Sequence, residues 1–327
     1  MNASNTPLTA AEIKDKAREL GAHLVGIADG AQMELYPPDP DDPRRPSDIT
    51  ERDGNRVIVM GYHINSATSR LPAWNHQHKF YNDELTLTAL EEMALNLVFW
   101  LESRDCPAIV IPANMVNTDG PDIDPTHHQK PVLSLDHAAV EAGLGTLGLN
   151  QQILTPEFGP RVKLISVLCS ADVEADQPIS EALCQGPECG RCLQACPADA
   201  VGHWQRDWDA CDKYRVPYGF VPTMEFLEKL LSEQDLGTKV SMLRSGESYQ
   251  LWTGIMRGAG VITGCRRCHD VCPVGADYET MIGDALKEIA ENSAAKTERL
   301  AEMAAASLLA DSPGKGYQSR WIGKLPA

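Results

Sequence analysis

Eight of the ten cysteines in this chain lie between residues 184 and 272, and seven of these eight form two runs that end in proline. The runs are Cys184-x4-Cys189-x2-Cys192-x3-Cys196-Pro197 and Cys265-x2-Cys268-x3-Cys272-Pro273, and Cys211 stands between them. A cubane of iron and sulfide is held by four thiolates, three from a close run and one from a distant segment. The spacing therefore predicts that this part of the chain folds around two such centres.

In the bacterial two-cluster pattern, the cysteine that precedes proline ligates the other cluster, so the predicted ligand assignment is crossed. One 4Fe-4S cluster is assigned to Cys184, Cys189, Cys192 and Cys272. The other is assigned to Cys196, Cys211, Cys265 and Cys268. Cys211 enters because Ile262 occupies the place of the usual cysteine three residues before Cys265, and the Cys184–Cys189 gap is also longer than in the simple motif.

Structural zinc and disulfides are the alternatives for these cysteines, because tetrahedral zinc also uses Cys-x2-Cys pairs. Twin Cys-x2-Cys-x3-Cys-Pro units are more specific for iron–sulfur clusters. Cys106 and Cys169 lie beside apolar segments and are interpreted as ordinary buried cysteines.

Composition bounds the class of protein. The chain has 327 residues, 43% of them hydrophobic and 23% charged, with a formal charge of −17. Neutralising phosphates requires clustered Lys and Arg, so nucleic acid is an unlikely partner on this evidence. No signal peptide and no apolar run of membrane-spanning length is visible, and thiolate ligands need a reducing compartment. We expect a cytoplasmic protein without a membrane partner.

Periodicity and turn signals predict an α+β protein in three parts. Thr9 and Glu12 form a capping box for a helix over 9–21, and longer helices are predicted over 82–104 and 278–310, the last broken near Asn292. Short apolar strands are predicted at 23–28, 55–63, 108–112 and 161–169. The predicted boundaries are a first domain over 1–178, a cluster domain over 179–280 and a helical segment and tail over 281–327.

The chain from Ala142 to Asn150, followed by residues 153–163 (Ile-Leu-Thr-Pro-Glu-Phe-Gly-Pro-Arg-Val-Lys), resembles the cobalamin-contacting segment of reductive dehalogenases. The sister family, epoxyqueuosine reductase, has a similar Ala-Gly-Leu-Gly segment and a lone cysteine between its cluster motifs, as Cys211 stands here. The resemblance covers about residues 10–280.

The resemblance implies a nitroreductase-like domain that holds a base-off corrinoid, and a bacterial-type dicluster ferredoxin domain that delivers electrons to cobalt. The residues it nominates for cobalamin contacts are Gly143, Gly145, Leu147, Gly148, Asn150, Leu154, Thr155, Phe158, Gly159 and Arg161. Glycine suits such a site because a flat macrocycle can approach bare backbone. A glycine-rich turn with no ligand is the alternative. A dinucleotide site is a weak alternative, because no predicted strand precedes the glycines.

Reductive cleavage at cobalt needs a proton, which the related families take from a tyrosine or aspartate before the glycine segment. The candidates placed first are His127, His128, Lys130 and Asp136. Further candidates are Asp122, Asp124, His137, Tyr81, His76 and His78. Solvated loop charge, or a helix N-terminal acid for Asp136, is the alternative for each.

Three functions follow as hypotheses. The first is a corrinoid and iron–sulfur reductase that removes a leaving group from a small organic substrate, supplied by an external low-potential donor of ferredoxin or flavodoxin type. The second is an epoxyqueuosine reductase that acts on tRNA. The third is a non-catalytic partner that transfers electrons to another protein or reduces its corrinoid.

Overall fold

The computed structural model describes residues 7–72, 75–116, 126–283, 288–309 and 319–323. The strands are β1 (Leu24–Asp29), β2 (Arg56–His63), β3 (Ala108–Ile111), β4 (Thr146–Leu147), β5 (Ile153–Leu154) and β6 (Val162–Cys169). The helices of the first part are α1 (Ala10–Glu19), α2 (Gly30–Leu35), α3 (Ser66–Ser69), α4 (His76–Glu102) and α5 (Leu135–Glu141).

The cysteine-rich part is built from helices. They are α6 (Arg191–Gln194), α7 (Trp208–Arg215), α8 (Phe220–Ser232), α9 (Leu236–Leu243), α10 (Gly246–Arg257), α11 (Arg267–Asp270) and α12 (Ala294–Leu309). A π-helical turn covers Tyr278–Ile282, and short 3₁₀ turns cover Pro46–Asp48, Gly186–Glu188 and Ser319–Ile322. No helix in the described part of the chain is long and apolar enough to cross a bilayer.

The main sheet has four antiparallel strands in the order β1-β2-β6-β3. Its central register sets Ile58 opposite Ile27 on one side and Val167 on the other. One face packs against α1 and α4 through residues such as Ile13, Leu90 and Leu97, and the other packs against α5 through Ala138 and Val140. Because both faces are covered, the strands are almost continuously apolar rather than alternating.

The predicted elements of the first part are present with small shifts. The capping box of α1 forms, with the Thr9 hydroxyl accepting from the Glu12 N–H and the Glu12 carboxylate accepting from the Thr9 N–H. Helix α4 begins at His76, six residues before the predicted start, because its first turn is polar and lacks the apolar spacing that marks the rest.

The long helical stretch predicted over 278–310 is interrupted. It begins with the π-helical turn, and α12 then starts at Ala294 after Ser293, whose hydroxyl accepts the Lys296 N–H at 3.3 Å. The break near Asn292 is therefore confirmed. Helix α12 packs on α6 and on the Gly186–Glu188 turn, so it closes the cysteine-rich part from outside. A small core there joins Leu149, Leu193, Cys196, Cys211 and Leu300.

Candidate functional site

The thiols between residues 184 and 272 lie close enough to perturb one another's ionisation. Burial raises the pKa of Cys272 to about 12, and the neighbouring Cys184 and Cys189 add to the effect. Burial likewise raises the pKa of Cys265 to about 12, together with Cys268, Cys211 and Cys196. These neighbours belong to the same two sets that the crossed assignment predicts. Cys192 lies between the sets, because both Cys268 and Cys272 raise its pKa. The ligand roles themselves stay predictions.

Several N–H groups point at the sulfur atoms. The backbone N–H groups of Leu149 and Gly186 donate to Cys184 Sγ at 3.4 and 3.3 Å, and the N–H of Ala200 donates to Cys196 Sγ at 3.3 Å. Such donors stabilise thiolate, although burial raises the pKa of the Cys184 thiol. A metal that binds here must therefore displace protons.

Arg206 is a cation that lies against two of the sulfur atoms. Its Nη2 lies 3.1 Å from Cys211 Sγ and 3.7 Å from Cys268 Sγ, and its Nη1 donates to the carbonyl of Asn150 at 3.2 Å. The guanidinium also lies over the Trp208 ring, 4.5 Å from the centroid. Burial alone would lower the pKa of Arg206, but Cys268, Cys211 and Cys196 raise it. Arg206 was not among the sequence candidates.

The donor set suits iron–sulfur clusters. All ten cysteines are free thiols. In the described ranges, no three His, Cys, Asp or Glu side chains form a group that could hold a single metal ion. A single zinc ion needs its sulfur ligands within about 2.3 Å, whereas the ligands of a cubane are kept apart by the cluster itself. Two loosely gathered sets of four buried or half-buried thiols match the second arrangement.

The glycine segment packs against the chain's own atoms. A Cβ at Gly145 would lie 1.9 Å from the carbonyl of Leu154, and one at Gly159 would lie 1.9 Å from the carbonyl of Val274. A Cβ at Gly143, where φ is +70°, would lie 2.6 Å from the carbonyl of Gln177, and one at Gly148 would meet the Asn150 side chain at 2.9 Å. Chain packing alone therefore explains these glycines, including the close pairing of β4 with β5.

Most of the other residues nominated for cobalamin contacts are buried or hydrogen-bonded within the protein. Thr155 is fully buried, and its hydroxyl donates to the Gly159 carbonyl and accepts the Phe158 N–H. Asn150, Leu147 and Leu154 are at most 2% exposed. Of the ten nominated residues, Gly143 and Phe158 are half-buried and eight are buried by protein. This set does not fit the role of an open corrin surface.

Arg161 has a structural role rather than the predicted one. Its side chain is fully buried, and all five N–H donors are taken: two by the Asp277 carboxylate and three by the carbonyls of His269, Cys272 and Val274. No donor remains for a cofactor phosphate. Arg161 instead ties the start of β6 to the chain that carries Cys272.

A cluster of rings lies at the same junction. His63 Nε2 is 3.2 Å from Asp277 Oδ2, and the His63 ring stacks on Phe158 with centroids 4.5 Å apart. His23 accepts the His63 N–H at 3.0 Å, and burial, then His63, lowers its pKa. Although burial alone would raise the pKa of Asp277, Arg161 and His63 lower it. No sequence signal links His63 to Asp277, which is 214 residues away.

The structure does not bring together the four main candidates for the proton donor, His127, His128, Lys130 and Asp136. His128 bonds Asp212 at 2.7 Å and stacks on Trp208, whereas Lys130 pairs with Asp42 at 2.7 Å on the surface. Asp136 accepts the Ile153 N–H at 2.7 Å, and burial raises its pKa. His127 lies beside Thr126. The expectation that one of them faces substrate stays a prediction, and Asp122 and Asp124 lie outside the described residues.

Among the further candidates, Tyr81 lines a cavity of about 250 Å³ between α4 and α10, and His76 contacts another residue of its lining. Its lining includes Tyr81, Phe80, Tyr218 and Tyr249. His76 Nε2 lies 3.1 Å from the Tyr218 hydroxyl, whose pKa is raised by burial. An imidazole beside a phenol can hold and move a proton. Tyr218 was missed because it follows a cysteine motif rather than the glycine segment.

Comparisons with known proteins give two names. An epoxyqueuosine reductase of Gloeobacter violaceus is 30% identical over 222 residues, which cover 59% of this chain and 61% of that protein. A tetrachloroethene reductive dehalogenase of Sulfurospirillum multivorans is 32% identical over 95 residues, 23% of this chain and 19% of that protein. No protein family model matches the chain.

Solved structures show a similar fold. The catabolic reductive dehalogenase NpRdhA has a TM-score of 0.51 at 17% identity, over 90% of this chain and 36% of that one. An epoxyqueuosine reductase with a tRNA-Tyr stem loop has a TM-score of 0.49 at 19% identity, over 81% and 64%. The chain spans less than two thirds of each of these proteins.

The likeness to NpRdhA shows a similar fold of sheet and helices. In sequence, the chain is similar to both reductive dehalogenases and epoxyqueuosine reductases over part of its length. The expectation that nucleic acid is an unlikely partner is not supported by these comparisons, which carry both names.

Proposed function

We propose that this protein is an iron–sulfur oxidoreductase in which two 4Fe-4S clusters supply electrons for reductive cleavage of a small organic substrate. The observation that carries the proposal is the gathering of eight thiols, three buried and five half-buried, in two sets. Cys184, Cys189, Cys192 and Cys272 hold one cluster, and Cys196, Cys211, Cys265 and Cys268 hold the other. The N–H donors at sulfur and the Arg206 guanidinium stabilise the thiolate charge.

The domain organisation is part of the proposal. Residues 1–178 form a nitroreductase-like unit, residues 179–280 a dicluster ferredoxin unit, and residues 281–327 a helical segment and tail. The tie from Arg161 to the Cys272 segment supports direct coupling between the first two units, since the carbonyls of the proposed ligand Cys272 and its neighbours accept from a residue of the first unit.

A small substrate is supported by the size of the cavity beside Tyr81 and Tyr218, about 250 Å³, which suits a molecule of one or two rings. The His76–Tyr218 pair is the proposed source of the proton that replaces the leaving group. The acidic balance of the chain is compatible with such a substrate.

The superfamily resemblance also implies cobalamin as the group at which cleavage occurs. A corrinoid supplies a low-potential metal centre that can take electrons one at a time. Since eight of the ten nominated residues are buried by protein, a corrinoid bound by this chain must contact other residues. Anaerobic titration with cobalamin, followed by its visible spectrum, tests this cofactor separately from the clusters.

The proposed activity is tested by anaerobic turnover of reconstituted protein with a chemical reductant and a panel of small aryl and alkyl halides. Release of halide, dependent on protein and lost in Cys211→Ala, is the expected result. Absence of release with fully loaded clusters and added cobalamin would contradict the proposed cleavage.

The second candidate is an epoxyqueuosine reductase activity on tRNA, favoured by the 222-residue match to the Gloeobacter protein. Binding of tRNA that weakens steeply as salt rises would support it, because phosphate contacts release counterions. The third candidate function is transfer of electrons to another enzyme. In that case the reduced clusters would be oxidised only when a partner protein is added.

A further inference from the structure

Helices α8, α9 and α10 form an insertion between the two cysteine motifs that buries very little of itself. Helix α8 buries Phe226, α10 buries Leu251 and Gly254, and α9 buries none of its residues. Helices of this length are marginal in water unless an apolar face is packed. The three helices therefore lack the packing that would ordinarily hold them.

Each helix exposes an apolar stripe at helical spacing. In α8 the stripe is Phe220, Leu227 and Leu231; in α9 it is Leu236, Val240 and Leu243; in α10 it is Tyr249, Trp252, Ile255 and Met256. Leu231 is 77% exposed, Leu236 74% and Trp252 57%. Spacings of three, four and seven residues put the members of a stripe on one side of their helix. Monomeric proteins rarely expose apolar surface on this scale.

We propose that this surface, residues 220–257, is where a second copy of the chain binds. Ten large apolar side chains can supply an area of the order of the ~800 Å² that each partner of a stable interface buries. Tyr, Trp, Phe and Met, all present in the stripes, are the residues that interface cores favour.

The charges of the surface favour a copy of the same chain over other occupants. Residues 220–257 carry five acidic and four basic side chains, a net charge of −1 in a chain of −17. Two copies repel each other least here, and mixed signs let a basic group of one copy meet an acidic group of the other, as a two-fold interface requires. An anionic membrane attracts faces rich in Lys and Arg instead, and a basic electron carrier would favour the acidic remainder.

The test is the mass of the full reconstituted chain in solution, measured by sedimentation over a wide range of concentrations. The expected mass is twice the 35.7 kDa of one chain. Leu236→Glu and Trp252→Glu, each made separately, should raise the dissociation constant of the dimer at least about thirtyfold. Leu236 lies on a helix that buries nothing, so its variant leaves the core intact.

Phe99→Glu is the matched control, because Phe99 is 58% exposed on α4 and lies outside the insertion. It should leave the dimer unchanged, and iron content should be equal in all variants. A protein that sediments as a monomer at every concentration would overturn the proposal. So would a dimer that both insertion variants leave intact, or a monomer that co-sediments with anionic vesicles through Trp252.

Discussion

Arg206 Nη2 lies 3.1 Å from the sulfur of Cys211, in a pocket where Trp208 covers the guanidinium. The same nitrogen is 3.7 Å from Cys268 Sγ, so one cation faces two proposed ligands of one cluster. In the other set, Arg161 lies near Cys272 and donates to its carbonyl rather than to a sulfur, and Cys184 Sγ accepts from the backbone N–H groups of Leu149 and Gly186. The two clusters are thus expected to differ electrostatically.

This asymmetry predicts that Arg206 raises the reduction potential of the cluster held by Cys211, because a positive charge and a hydrogen bond to sulfur favour the reduced, more negative state. Arg206→Gln should lower that midpoint in an EPR-monitored redox titration and leave the other cluster unchanged. Arg206→Lys should retain part of the effect. Equal shifts in both clusters, or none, would show that Arg206 does not tune one of them.

Cys211 is predicted to be the fourth ligand of that cluster. Cys211→Ala should reduce the iron content of anaerobically reconstituted protein from about eight to about four per chain, with a matching loss of sulfide. Cys106→Ala is the control, since Cys106 lies in the main core beside Cys169. Full iron content in the Cys211 variant would exclude Cys211 as a required ligand.

The ion pair between Arg161 and Asp277 is predicted to hold the two parts of the chain together. Removing one partner of a buried pair leaves an uncompensated charge, so Asp277→Ala should destabilise the fold by about 3–5 kcal/mol. Asp15→Ala breaks an exposed pair with Arg18 and should cost less than about 1 kcal/mol. Denaturant unfolding measures both, and equal small losses would argue against the tie.

His137 predicts a stability that falls in acid. Burial lowers its pKa to about 3, and its ring packs edge-on against Trp321 at 4.4 Å. The pKa of His137 in the folded protein lies below the unfolded value of about 6.5. Its contribution to the free energy of unfolding is therefore complete above pH 6.5 and is lost as pH falls toward 3. His137→Gln should flatten this slope, measured as the melting temperature between pH 8 and pH 5. Parallel slopes in the two proteins would contradict the assignment.

Local signals made part of this molecule predictable. Thr9 and Glu12 lie three residues apart, so the start of α1 could be recognised, and apolar runs marked the strands of the main sheet. The gathering of the cysteines also follows from spacing along the chain. The polar first turn of α4 gave no such signal.

Contacts between distant residues were not predictable from one sequence. Arg161 was expected at a cofactor but bonds Asp277, which is 116 residues away. His128 was one of four candidates for the proton donor, and its bond to Asp212, which is 84 residues away, was not foreseen. In each case the side chain has the right chemistry for either role, and only tertiary packing decides which partner it meets.

The central claim, that two four-iron clusters occupy the two sets of thiols, is tested most directly by iron and acid-labile sulfide analysis of anaerobically reconstituted protein. We expect about eight iron and eight sulfide per chain, in agreement with the ligand capacity of eight cysteines. A chain that binds zinc without sulfide, or saturates at about four iron, would contradict it.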